Sequence, residues 1–338
     1  MGATLTRRRF AKQTASAFAA LSPAGQLLGQ MAEAATKPKI PVILDTDIGD
    51  DIDDTWALLM LLRMPQFDVK LIVGDYGNAI YRARLLAKLL DRCGRSDLPV
   101  AIGVDPADER GQQSGWLGDY NLNDYPGTIH EDGVQKLIEI INESPEPVTL
   151  LCIGPVPNIA EALRRDPGIA DNARFVGMHG SVFVGYDGSS QPDIEWNVRV
   201  DPQSLQTVFA APWDCTITPL DTCGLIKLQG ENYRRLYESD DAWLKILMEN
   251  YRAWLPGAPY VDPETDTSKI STTLFDTVAV YLAAEQDLVE MQDVPLRVTD
   301  DGWTLVDEVN GRMVHCATAW KDQAAFEAKL VDILLEAP

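Results

Sequence analysis

Short apolar runs alternate with amphipathic segments from residue 40 to about residue 220. Several of the apolar runs contain no polar positions, which is typical of strands that are buried on both faces of a parallel sheet. They predict strands at 40–45, 68–74, 98–103, 147–153, 174–178 and 214–218. Helical spacing between them predicts helices at 54–63, 79–93, 132–143, 157–165 and 202–210. This order predicts an α/β fold with a doubly wound, mostly parallel central sheet and surrounding helices.

The pattern becomes mainly helical in the last third of the chain. The predicted elements there are an amphipathic helical segment at 231–254, a loop rich in Pro, Asp and Thr at 256–269, a helix that begins near Thr273, a short strand pair around 295–318 and a last helix at 322–336. No internal repeat or low-complexity block interrupts the chain. We therefore expect a single domain over residues 35–338.

The N-terminal 34 residues have the pattern of an export signal. Residues 6–12, TRRRFAK, resemble the twin-arginine motif, and a weakly apolar stretch leads to a small-x-small cleavage site at Ala32-Glu33-Ala34. A basic amphipathic helix is the alternative interpretation. We expect a twin-arginine (Tat) signal peptide at 1–34 and a mature protein that is periplasmic or secreted. No later stretch approaches the roughly 20 apolar residues of a membrane span.

Charge and cysteine content restrict the partners of the protein. The formal net charge of −22 repels phosphate backbones and anionic lipid surfaces, so we expect neither a nucleic acid polymer nor a membrane as partner. A small neutral or cationic molecule, or a metal cation, fits this charge better. The five cysteines are scattered without CxxC spacing and do not resemble a zinc site. Buried free thiols are expected, with a Cys215–Cys223 bridge as the alternative.

Residues 45–54, DTDIGDDIDD, contain six aspartates between a buried strand and a helix. Ligands of doubly wound sheets bind beyond the carboxyl ends of the strands, which is where this segment lies. Capping of the helix would use two carboxylates, but six repel one another unless a cation neutralises them. A hard divalent ion with oxygen ligands meets that requirement.

Two other motifs with aspartates fit this segment less well. An EF-hand loop that began at Asp45 would need glycine at its sixth position and glutamate at its twelfth, where Asp50 and Trp56 stand. Haloacid-dehalogenase-like phosphatases would use the DTD, but they do not require the DD at the helix start. A phosphatase is also disfavoured because no basic phosphate-binding cluster follows the other strands.

The strand-DTDxG segment followed by DD-x-x-A-L resembles the inosine–uridine-preferring nucleoside hydrolases, with a loop that is longer by two residues. Further segments match that family in order: VGDYGN at 73–78, GTIHEDGV at 127–134, PVTLLCIGPVPNIAEAL at 147–163, FVGMHGSV and PDIEWNVRVDP within 175–202, and TTLFDTVAVYLA at 272–283. The resemblance runs from about residue 40 to about residue 335. The ordered set is far more specific than any single motif.

The resemblance implies Ca²⁺-dependent hydrolysis of the N-glycosidic bond of ribonucleosides, which gives free base and ribose. It implies that Asp47 is the general base on a water held by the metal. The implied metal ligands are Asp47, Asp54, Asp276 and the backbone carbonyl of Ile153. Because the loop is longer, Asp51 is an alternative for the role that the resemblance gives to Asp53 or Asp54. The implied substrate-binding residues are Asp53, Asn78, Met178, Glu195, Trp196 and Asn197. A homodimer or homotetramer is also implied.

The residues around the leaving base depart from the family pattern. Phe275 stands where purine-competent members have a histidine that protonates the base. His130 is the candidate for this acid, and a loop-ordering imidazole is the alternative interpretation. His179 replaces a glycine, and Ser189 stands where an asparagine is expected. Two other functions therefore stay open: a hydrolase of the same fold that acts on another ribosylated or sugar compound, and a non-catalytic Ca²⁺-dependent sugar-binding protein.

Overall fold

A ten-stranded sheet runs through the computed structural model, which describes residues 38–259, 261–262 and 265–336. The predicted signal peptide at 1–34 lies outside the described residues. Contacts group Lys39–Pro338 into one compact unit. Within the described ranges, no helix combines the length and the apolar character needed to cross a membrane.

The strands pair mainly in parallel. They are β1 (Ile40–Thr46), β2 (Phe67–Gly74), β3 (Val100–Ile102), β4 (Ile129–His130), β5 (Val148–Cys152), β6 (Ala173–Met178), β7 (Cys215–Thr218), β8 (Val289–Val298), β9 (Thr304–Val306) and β10 (Arg312–Trp320). Their order in the sheet is β4-β3-β2-β1-β5-β6-β7-β10-β8-β9. Pairing is parallel from β4 through β10, and β8 pairs antiparallel with both β10 and β9.

Strands β1 and β5 form the point at which the order of the sheet reverses. The chain builds outward from β1 to β4 on one side, then returns to place β5 on the other side. Asp45 is in register with Cys152, and the amide of Ile153 donates to the carbonyl of Asp45 at 2.9 Å. The loops that follow β1 and β5 therefore diverge from one place, which is where doubly wound sheets bind their ligands.

Helices cover both faces of the sheet. They are α1 (Asp53–Arg63), α2 (Ala79–Arg92), α3 (Ser114–Leu117), α4 (Gly133–Glu143), α5 (Pro157–Arg165), α6 (Trp196–Val200), α7 (Pro202–Ala210), α8 (Gly230–Tyr237), α9 (Ala242–Trp254), α10 (Phe275–Ala284) and α11 (Gln323–Leu335). Successive residues of β1 enter two different cores, with Val42 and Leu44 in one and Ile43 in the other. The first core contains α1, α2 and α8 to α11, and the second contains α4, α5 and α7. The doubly wound arrangement predicted from the apolar runs is confirmed.

The structure differs from the predicted elements in three places. The helical segment at 231–254 divides into α8 and α9, because Asp241 accepts from the amides of Trp243 and Leu244 at 2.9 and 3.0 Å and so caps a new helix. The predicted strand pair around 295–318 is a three-stranded unit that begins at Val289. The short elements β4, α3 and α6 were not predicted, because two to five residues contain too few positions to show a period.

All five cysteines are buried free thiols in the structure. The alternative of a Cys215–Cys223 bridge is therefore wrong. Burial raises the pKa of both thiols, so they remain protonated and unreactive at neutral pH.

Candidate active site

Three buried carboxylates from two distant parts of the chain meet at the carboxyl edge of the sheet. Asp53 and Asp54 lie in the first turn of α1, and Asp276 lies in the first turn of α10. One carboxylate oxygen from each lies within 4.8 Å of the others, and no side chain of the three is more than 4% exposed. We call Asp53, Asp54 and Asp276 the carboxylate triad. Its geometry could hold a metal ion.

The loop from Asp47 to Ile52 brings the triad to the end of β1. Ile48 and Ile52 are buried and anchor this loop in the core. Gly49 has a φ of +117°, and a Cβ at this position would lie 2.7 Å from Leu85, so the tight bend requires glycine. Thr46 donates to the carboxylate of Asp54 through its hydroxyl, which ties the strand end to the helix.

Burial changes the protonation of the acidic groups. It raises the pKa of all three triad carboxyls well above the usual range, and repulsion among neighbouring carboxylates adds to the effect. Burial also raises the pKa of Asp47 to about 7, although the positive charge of Arg82 opposes the change. Ionised carboxylates packed this closely require a compensating cation. Their oxygen donors match a hard divalent metal.

Asp47 and Asp51 lie in the loop that connects β1 to the triad. Asp47 is 6% exposed and lies against Gly154, where a Cβ would come within 2.7 Å of its Oδ1. Repulsion from Asp47 contributes to the raised pKa of Asp54, so its charge is near the triad. Asp51 accepts from the amide of Ile52 at 2.6 Å, and burial raises its pKa to about 7.

A second group of predicted site residues is connected by hydrogen bonds around Ile153. The side-chain amide of Asn197 donates to the backbone carbonyl of Met178 at 3.0 Å and to that of Ile153 at 3.3 Å. The carboxylate of Glu195 accepts from the backbone amides of Gly180 and Asn197 at 2.9 and 2.7 Å. Burial raises the pKa of Glu195 to about 7. The structure therefore brings together four predicted site residues, Ile153 after β5, Met178 at the end of β6, and Glu195 and Asn197 from the segment beyond it.

Aromatic side chains lie beside this group. Trp196 is 49% exposed, and its backbone amide donates to the hydroxyl of Tyr186 at 2.9 Å. The ring of Tyr186 meets that of Phe275 edge-on, with 6.2 Å between centroids. Phe275 directly precedes Asp276 of the triad, so the sequence places an apolar ring next to the carboxylates. This edge of the site is suited to a flat, unsaturated group.

Buried polar residues lie behind the site and order its loops. Asn158 donates to the carboxylate of Asp45 at 2.9 Å and accepts from the amide of Val104 at 2.8 Å, so it ties the ends of β1 and β3 together. Asp75 is completely buried next to Asp45, and burial raises the pKa of both carboxyls. His179 contacts Gly154 through Nε2 at 3.0 Å, and burial lowers its pKa to about 4, so the imidazole is neutral.

His130 and Asn78 lie outside the two helices that carry the triad. His130 lies in β4, the edge strand, which is three strand spacings of about 4.8 Å, or about 14 Å, from β1. Burial and the charge of Lys136 lower the pKa of His130. The side-chain amide of Asn78 donates to the carbonyl of Glu109 at 3.0 Å and accepts from its amide at 2.5 Å. Their assigned roles, proton donor and sugar ligand, remain untested.

Sequence reasoning missed three residues that shape the site. Thr46 was hidden within the aspartate motif, and Tyr186 lies in a loop without a recognisable pattern. Arg82 is a buried cation near the start of α2, where the helix dipole disfavours positive charge. A basic residue near the start of a helix is unexpected on electrostatic grounds, and this could have identified Arg82 from the sequence.

Comparison with known proteins identifies the family. A family model described as inosine-uridine preferring nucleoside hydrolase matches residues 42–332. The pyrimidine-specific ribonucleoside hydrolase RihA of Salmonella arizonae is 30% identical over 267 residues, which cover 73% of this chain and 84% of that protein. The chain therefore belongs to the inosine-uridine preferring nucleoside hydrolase family. It is an N-ribohydrolase, and its substrate is a small-molecule nucleoside.

Solved structures show the same fold. The plant nucleoside hydrolase PpNRh1 superposes with a TM-score of 0.72 at 24% identity, and the match covers 89% of this chain and 100% of that chain. The purine-preferring ribonucleoside hydrolase from Gardnerella vaginalis superposes with a TM-score of 0.70 at 22% identity, covering 87% and 98%. The family, the fold class and the enzyme class predicted from the sequence are confirmed.

Proposed function

We propose that this protein is a Ca²⁺-dependent ribonucleoside hydrolase in which Asp47 is the general base. The observation that carries the proposal is the carboxylate triad, whose oxygens lie within 4.8 Å of one another beside Asp47. Four buried carboxylates this close together can all ionise only when a cation compensates their charge. The family match supports the reaction, and the triad supports the metal.

The donor set favours Ca²⁺. Asp54 and Asp276 of the triad would hold the ion together with Asp47, the backbone carbonyl of Ile153 and Asp51 from the longer loop. Asp53, the third member of the triad, would bind the ribose. Carboxylates and a backbone carbonyl are hard oxygen donors, and their number suits the high coordination of Ca²⁺ better than the octahedron of Mg²⁺. When bound, the ion would supply Lewis acidity that makes water a stronger nucleophile at neutral pH.

The residues of the chain would transfer the proton, bind the ribose and stabilise the charge of the transition state. Asp47 accepts the proton of the water that attacks the anomeric carbon, which is the role of a general base. Asp53, Met178, Glu195 and Asn197 bind and orient the ribose. Glycoside hydrolysis passes through an oxocarbenium-like transition state, so the surrounding carboxylates stabilise the positive charge that develops on the sugar.

The base would lie against the aromatic side of the site. Trp196, whose backbone is held by Tyr186, offers a half-exposed ring for stacking. Phe275 occupies the position next to the triad where a protonating group was expected. This apolar contact also favours a second candidate function: hydrolysis of another ribosylated compound, one whose leaving group needs no proton from the enzyme.

The proposed location and assembly rest on the sequence and the family. We propose that residues 1–34 direct export by the twin-arginine route and that the mature protein is periplasmic or secreted. Replacement of Arg7 and Arg8 by lysine should then retain the protein in the cytoplasm, as measured by cell fractionation. We also propose a homodimer or homotetramer that binds neither nucleic acid polymers nor membranes. Light scattering of the mature protein measures the assembly.

The test of the function is release of ribose. The mature protein is incubated with purine and pyrimidine ribonucleosides in Ca²⁺, in chelator, and in chelator followed by excess Ca²⁺, and free ribose is measured. We expect release in Ca²⁺, loss in chelator and recovery when Ca²⁺ returns. Release that continues in chelator would overturn the metal requirement. No release from any nucleoside would overturn the proposed substrate class.

A further inference from the structure

One arginine contacts most of the loop that carries Asp47. Arg82 lies near the start of α2 and is 3% exposed. Its Nη1 donates to the backbone carbonyls of Asp47 and Ile48, the latter at 3.1 Å. Its Nη2 donates to the carboxylate of Asp50 at 3.0 Å. A single guanidinium thus contacts three of the four residues from Asp47 to Asp50.

The same guanidinium holds a second loop, between β2 and α2. Its Nε donates to the carbonyls of Tyr76 and Gly77, each at 3.2 Å, and Nη2 donates to Tyr76 at 3.0 Å. Tyr76, Gly77 and Asn78 all have positive φ values, of 31°, 55° and 54°. Such a run is unfavourable for the two residues that are not glycine, so the contacts with Arg82 offset local strain.

Close packing keeps Arg82 in this position. Gly74 ends β2, and a Cβ there would lie 2.8 Å from the Cβ of Arg82. The strand end and the first turn of α2 can approach this closely only because residue 74 is glycine. The guanidinium is therefore directed between the two loops and away from solvent.

We propose that Arg82 is a positioning residue that holds the Asp47 loop in the geometry required for cation binding and for proton transfer. This inference rests on the proposed Ca²⁺ site. The positive charge of Arg82 repels a bound cation, so its electrostatic effect alone would weaken metal binding. Its charge also opposes the rise in the pKa of Asp47, so the two electrostatic effects act in opposite directions, and what distinguishes arginine from lysine here is geometry. Only a planar fork with five donors can reach these carbonyls together, and lysine cannot reproduce that set.

The experiment compares two substitutions in the mature protein. Arg82→Lys keeps the charge but loses the fork, and Arg82→Met loses both. Ca²⁺ affinity is measured by calorimetry after treatment with chelator, at a temperature where circular dichroism shows each variant to be folded. We expect both variants to lose about 10- to 100-fold in Ca²⁺ affinity, the range seen when a residue that orients metal ligands is removed. We also expect kcat to fall more than KM rises, because Asp47 is displaced.

Arg84 provides the matched control. It lies on the same helix and makes the same kinds of contact with two other loops, to the carbonyl of Tyr120 at 2.8 Å and to the carboxylate of Asp108 at 2.8 Å. Arg84→Lys and Arg84→Met should keep wild-type Ca²⁺ affinity. If Arg82→Met does not fold, Arg82→Gln replaces it, since glutamine retains a side-chain donor.

The outcomes separate the explanations. Unchanged affinity in Arg82→Lys with tighter binding in Arg82→Met would show a charge effect and overturn the inference. Wild-type affinity in both, with only a lower melting temperature, would show a purely structural role and would also overturn it. Failure of the wild-type protein itself to bind Ca²⁺ would overturn the proposed metal, and this inference with it. An equal loss of affinity in the Arg84 variants would show that the effect is not specific to Arg82.

Discussion

The backbone amide of Asp276 donates a hydrogen bond of 3.3 Å to the carboxylate of Asp53, a residue 223 positions earlier in the chain. This contact joins the first turns of α1 and α10, which carry the triad. A cation at this place would bind both helices at once. The unfolded chain has no such site, so metal binding and folding are linked.

Ca²⁺ is therefore expected to stabilise the folded protein strongly. At a free concentration about 100 times its Kd, a ligand that binds only the folded state raises the free energy of unfolding by about 2.7 kcal/mol. Urea unfolding in Ca²⁺ and in chelator measures this difference. Mg²⁺ at the same concentration is the control, and we expect it to stabilise less. Identical unfolding curves in Ca²⁺ and in chelator would contradict the proposed site.

The stability of the Ca²⁺-free protein should fall as pH rises. Burial raises the pKa of Asp47, Asp51 and Glu195 to about 7, whereas the same groups in the unfolded chain titrate near pH 4, about their ordinary value. Below about pH 4 both the folded and the unfolded state hold these protons, so these groups do not make the free energy of unfolding depend on pH. Between about pH 4 and pH 7 the folded state holds more protons than the unfolded state, so the free energy of unfolding decreases.

Urea unfolding in chelator at pH 5 and pH 8 tests this sign, and we expect greater stability at pH 5. Ca²⁺ should reverse the trend, because the ion replaces the protons and binds more tightly as they leave. Calorimetry in two buffers of different ionisation enthalpy should show protons released on Ca²⁺ binding. Greater stability of the Ca²⁺-free protein at pH 8 would contradict the burial of these carboxyls.

Asp47 and Asp54 should respond differently to the same substitution. Asp47→Asn removes the proposed general base, and we expect kcat to fall by about 10²- to 10⁴-fold while Ca²⁺ still binds through the other proposed ligands. Asp54→Asn removes a ligand that lies in the triad, so Ca²⁺ affinity should fall and activity should recover in part at high Ca²⁺. Steady-state kinetics over a range of Ca²⁺ concentrations distinguishes the two. Recovery of Asp47→Asn at high Ca²⁺ would show that ligation is its dominant role.

Trp196 should determine affinity for the base more than the rate of the reaction. Loss of an aromatic contact costs about 0.5 to 1.5 kcal/mol, so Trp196→Ala should raise KM about 2- to 10-fold with little change in kcat. Trp196→Phe keeps a ring and should give an intermediate KM. Both variants are measured with uridine and inosine. An unchanged KM for both substrates would remove Trp196 from the substrate site.

The sheet and a cation site at residues 45–54 could be predicted because their signals are local. Unbroken Val, Ile and Leu runs indicate strands buried on two faces, and six aspartates in ten residues indicate a cation. The link to Asp276 came from the ordered family segments, since nothing in the sequence around residue 276 shows its distance from Asp53. Register between β1 and β5 pairs Asp45 with Cys152, and the next amide, that of Ile153, donates to the carbonyl of Asp45.

The contacts of Asn78 and Arg82 could not be predicted, because they depend on the conformation of loops. Three consecutive residues with positive φ turn the chain after β2, so the side chain of Asn78 bonds to Glu109. The same turn presents the carbonyls of Tyr76 and Gly77 to Arg82. A motif match assigns a residue to a segment, but the direction of its side chain is set by such backbone angles.

For His130 the role predicted from the motif and the position of its strand disagree, and an experiment can decide between them. The motif places it in a loop near the base, but the sheet order places β4 at the edge, about 14 Å from β1. Direct proton transfer needs a contact of about 3 Å, or one bridging water. We therefore expect His130→Gln to keep kcat within about tenfold of wild type, below the 10²- to 10⁴-fold typical of a general acid. Glu131→Gln, the next residue, is the matched control. A loss of 100-fold or more in His130→Gln alone, with the pH optimum changed, would contradict this expectation and show that His130 is the acid.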